Sequence, residues 1–97
     1  MGMKLSDKNL ELYGKIDEIL LHKWDPIGIS DLPEAKDEYH SYLWEVYCLA
    51  LENREDDIYR YLQQVETEMM GLSKNDERDR RIAKMIVEVS VEIIYQD

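Results

Sequence analysis

The side chains of this chain that could do chemistry beyond solvation gather in one stretch. His22, Asp25, Asp37, Glu38 and His40 all fall within residues 22–40, together with Trp24 and both prolines, Pro26 and Pro33. Asp37 and His40 are three residues apart, so on a helix both could reach one metal ion. A carboxylate-bridged di-iron bundle, however, needs Glu-x-x-His on two helices and further glutamates on two others. No second pair of that kind exists, and with 22 acidic residues a carboxylate beside a histidine is expected by chance. No metal or other cofactor is therefore expected.

Nucleophilic catalysis has as little support. Cys48 and His40 would lie roughly 12 Å apart along one helix, too far for a thiolate–imidazole pair. A single cysteine on an apolar helix face behaves as a small core hydrophobe. Ser41, Ser73 and Ser90 carry no surrounding motif, and Gly14, Gly28 and Gly71 are too isolated to cradle a phosphate. The reading leans away from an enzyme and assigns no catalytic residue.

Charge narrows the partners. A formal net charge of −10 creates a field that repels phosphate backbones and anionic lipid, which argues against nucleic acid and membrane surfaces. The basic run Arg78, Arg80, Arg81 and Lys84 is interleaved with Asp76, Glu77, Asp79 and Glu88, a pattern that reads as mutual ion pairs on a solvated face. No apolar run approaches the roughly 20 residues that span a bilayer. The opening MGMKLS fits a loose myristoylation pattern, but no basic cluster stands beside it as a second membrane signal. One unpaired cysteine suits a reducing compartment, so a cytoplasmic location is expected.

At 97 residues the chain suits one domain, residues 1–97, with one core. Apolar periodicity predicts an all-α, four-helix arrangement over approximately 7–23, 32–52, 54–70 and 75–95. In the first segment Leu12, Tyr13, Ile16, Ile19 and Leu20 share a face, with Ser6 as N-cap. Asp31, Pro33 and Glu34 form a start signal for the second. Its apolar residues make two stripes: Ala35, Tyr39, Tyr42, Leu43, Val46 and Ala50, then His40, Trp44, Tyr47, Cys48 and Leu51. A helix apolar over most of its circumference belongs at the centre, or else one flank covers a partner. Trp44, Tyr47 and Leu51 are thus either enclosed or a dimer face.

In the third segment Asn53 is the expected cap, Ile58, Tyr61, Leu62, Val65 and Met69 the stripe, and Gly71 the stop. The fourth is ambiguous. MIVEVSVEIIY alternates like a strand, yet Glu77, Arg81, Lys84, Glu88 and Glu92 fall on one helical strip opposite Ile82, Ile86, Val89 and Ile93. The helical pattern covers more of the segment, and a lone strand would have no pairing partner, so helix is preferred.

The corner between the first two helices reads as architecture before function. Asp25-Pro26 favours a turn, Gly28 suits a positive φ, and Ile27 and Ile29 would pin the loop to the core. Trp24 and Tyr39 should pack across the junction, with Asp25, Asp37 or Glu38 serving the ring N–H, a hydroxyl or loop amides.

The WDPIG run (Trp24, Asp25, Pro26, Ile27, Gly28) followed by Asp37, Glu38, Tyr39 resembles a small family of bacterial proteins, found mainly in bacilli, that are short, acidic and helical. The resemblance implies an all-helical single domain and no established activity, and it supplies no catalytic residue. Size and acidity are also similar to immunity proteins that neutralise basic toxins, without a shared motif. The functional expectation is a small acidic cytoplasmic interaction or regulatory domain, binding a basic protein partner or a second copy of itself. Its candidate surface is the corner (Trp24, Asp25, Pro26, Gly28, Asp37, Glu38, Tyr39, Tyr42). The alternative is a small-molecule or metal site, or an enzyme, around Trp24, Asp25, Asp37, Glu38 and His40.

Overall fold

A computed structural model of the chain describes residues 6–29, 32 and 39–95. The Gly2 motif, the start signal Asp31-x-Pro33-Glu34, and Ala35, Asp37 and Glu38 lie outside the described residues. Four helices are seen: α1 (Asp7–Glu18), α2 (His40–Leu51), α3 (Glu55–Gln64) and α4 (Asp76–Ile94), and no strand among the described residues. α1 and α3 each continue into a wider π-helical turn, Ile19–Trp24 and Val65–Met69 respectively. α2 and α4 touch across the diagonal of the bundle and each packs against every other helix, so α2 shares its expected central place with α4.

Local chemistry explains most boundaries. The Ser6 side chain accepts from the amide of Asn9, capping α1 as expected. Asn75 caps α4 in the same way, accepting from the amide of Arg78. α4 is a helix because Ile82, Ala83, Ile86 and Ser90 recur on one buried face, a spacing that a strand would split between two faces. The Ser90 hydroxyl is satisfied there by donating to the carbonyl of Ala50. Gly71 takes the expected positive φ, 69°, and the next amide, of Leu72, closes back on the carbonyl of Glu66.

Three expectations need correction. Asn53 does not cap α3: it sits at φ 55°, ending α2 in the left-handed conformation that asparagine tolerates. Arg54 precedes α3 instead, bonded to Glu52 and Asp57. The second helix does not run unbroken from 32. Leu32 is not helical, and Tyr39 forms a turn at φ −96°, ψ 3° before His40 begins α2. Tyr39 has its ring against Trp24 and its hydroxyl on Asp25, which holds it in the interior. Met69, placed on the α3 stripe, is 54% exposed.

The π-helical turns explain that last miss. A straight α-helix would return to the face of Leu62 at Met69. The i→i−5 bond from the Met70 amide to the Val65 carbonyl adds a residue to the turn, so Met70 packs against the core and Met69 faces water. The same shift operates in the first helix. At α-helical spacing Lys23 would follow Ile16 inward, but the bond from the Asp25 amide to the Leu20 carbonyl delays the return by one position. Trp24 is buried as a result, and Lys23 is displaced to the surface.

Candidate functional site

The two widened turns aim Trp24 and Glu66 at one another. The indole Nε1 of Trp24 donates to Glu66 Oε2 at 2.8 Å and to Asp79 Oδ1 at 3.1 Å, bridging α1 to α3 and α4. Glu66 also accepts from Arg78 Nη2 at 2.9 Å and from the amide of Asn75 at 3.2 Å. Both acids are 0% exposed. Two carboxylates and one guanidinium would leave a buried net charge of −1, which is costly in a low-dielectric interior.

A proton on Asp79 resolves that imbalance. Burial, the hydrogen bond with Glu66 and the charge of Glu66 push the Asp79 carboxyl up to about 7 from its ordinary 3.8. The geometry assigns the proton to this acid. Glu66 is engaged by three donor residues, whereas no donor is directed at Asp79 Oδ2. The cluster is therefore a network that holds one proton, with both carboxyl groups out of contact with solvent.

Beside this cluster, the corner satisfies itself. Asp25, at φ 34°, accepts from the Ile29 amide at 2.8 Å and from the Tyr39 hydroxyl at 2.8 Å. The Tyr39 hydroxyl in turn accepts from the Ile27 amide at 3.3 Å. Gly28 takes φ 67°, as expected. Trp24 and Tyr39 pack at 5.3 Å between ring centroids, the junction contact the sequence suggested. Ile29 is half-buried, but Ile27 is 41% exposed and does not pin the loop. Removing one donor to the Asp25 carboxylate gives a direct test. Tyr39→Phe is expected to cost about 1.5–3 kcal/mol, the usual worth of a hydrogen bond to a charged group, measured by urea unfolding.

The expected chemical cluster is dispersed among the described residues. His40 pairs with Asp17 of α1 at 3.3 Å on the surface, and His22 is exposed. No group of three His, Cys, Asp or Glu among the described residues is placed to hold a metal ion. Cys48 is half-buried, and burial, then Glu45 and Glu52, push its thiol up, which keeps it protonated and unreactive. The candidate dimer face divides: Tyr47 is buried against Tyr13 and Trp44, Leu51 is half-buried, and Trp44 is 45% exposed. Tyr42 is half-buried on the inner side of α2.

Sequence reasoning missed both buried acids. It placed Asp79 on a solvated face and sought partners for the Trp24 ring N–H within the corner itself. A signal was there: Glu66 follows Ile58 and Leu62 in helical phase, and Asp79 precedes Ile82 and Ala83 in the same way. An acid in phase with an apolar stripe is a candidate for burial with partners. The basic run of α4 also differs from expectation. Arg78 reaches Glu66, and Arg80 pairs with Asp56 of α3 while lying over the Tyr59 ring, so these pairs cross between helices.

Fold and site together define an all-helical four-helix domain braced internally by a tryptophan–diacid–arginine network. Comparison of the chain with models of known families, with curated proteins and with solved structures finds no match. No helix among the described residues is long and apolar enough to cross a membrane.

Proposed function

We propose that this chain is a non-catalytic interaction or regulatory domain of the cytoplasm that binds a basic protein partner, as an immunity or inhibitor protein does. The supporting observation is the outer face of α2. Trp44 is the exposed large hydrophobic side chain of that helix, and Glu45 and Glu52 are exposed along it. Negative potential on this face is registered by its neighbours: Glu45 and Glu52 raise the Cys48 thiol, and Glu45 contributes to raising the Tyr61 phenol, in each case after burial. A helix that carries both an exposed indole and exposed carboxylates suits a partner rich in lysine and arginine, which can offer a cation to the ring and others to the acids. The polar groups of the corner that the structure describes are committed to the fold, which draws the interaction away from Trp24 and Asp25 and towards Trp44. The resemblance carried by WDPIG and Asp37-Glu38-Tyr39 implies no activity that would compete with this reading.

Affinity capture from native extract, at low and high salt, tests it. A basic protein should be retained by the wild type at low salt and released as salt screens the contact. The double variant Trp44→Ser, Glu45→Lys, altered at exposed positions, should retain at least about tenfold less, equivalent to 1.4 kcal/mol. Retention of no specific protein, or equal retention by the variant, would overturn the proposal. Sedimentation of the pure chain separates the homodimer, which would use Trp44 and Leu51 against a second copy.

A further inference from the structure

The displaced Lys23 has a consequence on the opposite side of α1. A cleft of about 330 Å³ opens between the end of α1 and the middle of α4, lined by Lys15, Glu18, Ile19, His22, Lys23, Met85 and Val89. Its floor is apolar, from Ile19, Met85 and Val89, and its rim carries two ammonium groups, an imidazole and one carboxylate. With the histidine neutral, two lysines and one glutamate leave the rim at +1, a local inversion on a chain of net −10. Lys15, His22 and Lys23 form no ion pair or side-chain hydrogen bond with another described residue. The π-helical turn delivers Lys23 to this rim.

We infer that this cleft binds a small carboxylic acid with an apolar tail, the tail lying on Ile19, Met85 and Val89 and the carboxylate between Lys15 and Lys23. Its volume falls at the lower end of small-ligand sites, which suits a short aliphatic acid. Two lysines without partners among the described residues supply charge-assisted donors, and His22 adds a third donor at the same rim. An extended anionic surface such as a membrane would instead meet the field of the whole molecule, which is repulsive. A free amphiphile small enough to sit within the cleft contacts the rim directly, where two ammonium groups outnumber one carboxylate.

Titration of the isotopically labelled full chain with octanoate, followed by amide NMR, tests the inference. Saturable shifts are expected at residues 15–23 and 85–89. Octanol, which keeps the tail and lacks the charge, should bind at least about tenfold more weakly. The double variant Lys15→Ala, Lys23→Ala should weaken octanoate binding by a similar factor while leaving the fold intact, because both lysines are exposed. The inference is overturned by shifts that do not saturate, by octanol binding as tightly as octanoate, or by a double variant that binds octanoate unchanged. This site is separate from the Trp44 face, so its failure would leave the partner-binding proposal standing.

Discussion

Replacing Glu66 with alanine is expected to destabilise the domain by about 3 kcal/mol, a large share of the roughly 5–15 kcal/mol that such a fold possesses. The change strips Arg78 of its carboxylate, removes the nearer of two acceptors from the Trp24 indole, and leaves the Asn75 amide without its partner. Breaking a buried charge pair from one side typically costs about 3–5 kcal/mol, and the lower value applies because Arg78 keeps 22% exposure and can partly rehydrate. Glu66→Gln retains an acceptor and the side-chain volume, so its cost should be about 1–2 kcal/mol. Glu68, two positions along and exposed, is the control: Glu68→Ala should change stability by less than about 0.5 kcal/mol. Urea midpoints read by circular dichroism compare all three. A loss below about 1 kcal/mol for Glu66→Ala would mean that the network does not brace the helices.

Asp79→Asn should remove a pH dependence that the wild type possesses. The folded-state value of Asp79 is raised to about 7 from 3.8, so between these limits the folded chain holds a proton that the unfolded chain has lost. Its contribution to stability is fully present at low pH and disappears as pH rises through about 7. Asparagine imitates the protonated acid: its carbonyl can accept from Trp24 Nε1 and its amide can donate to Glu66. Between pH 5.5 and 8.5 the wild-type melting midpoint should therefore fall about 8–16 °C further than that of Asp79→Asn, the shift that ~2 kcal/mol produces in a domain of this size, at about 1.4 kcal/mol for each pH unit from 5.5 to about 7. Comparing the two curves cancels every pH dependence that the two chains share. The Trp24 Nε1–H resonance supplies a local reading. It should titrate near pH 7 in the wild type, following Asp79, and show no such inflection in Asp79→Asn. Parallel melting curves with an unchanged indole inflection would place the proton elsewhere.

These two acids also mark how far the sequence could be read. Helix number and type followed from spacing, because Leu12 and Ile16, Leu43 and Val46, Ile58 and Leu62, and Ile82 and Ile86 repeat at a period that only a helix buries on one side. The ambiguity of α4 was resolved by the same period once β-branched composition was set against it. The corner was legible in part. Asp25, Gly28, Trp24 and Tyr39 hold the places that turn chemistry and ring size assign them, since each acts on neighbours close in sequence. What failed at Met69 was phase: periodicity assumes an unbroken α-helix, and the wider turn slips the inward position by one residue, from Met69 to Met70.

Sequence alone determined the class of the fold, the helical spacing of its core and the excess negative charge of the chain, because these depend on local periodicity and on composition. Tertiary structure decided which carboxylates leave water. Glu66 and Asp79 are separated along the chain from each other and from Trp24, and ordinary acids in every local respect. Only when the packing of α1, α3 and α4 brings one indole N–H and one guanidinium to the same point does burying them become tolerable, with a proton on Asp79 completing the balance.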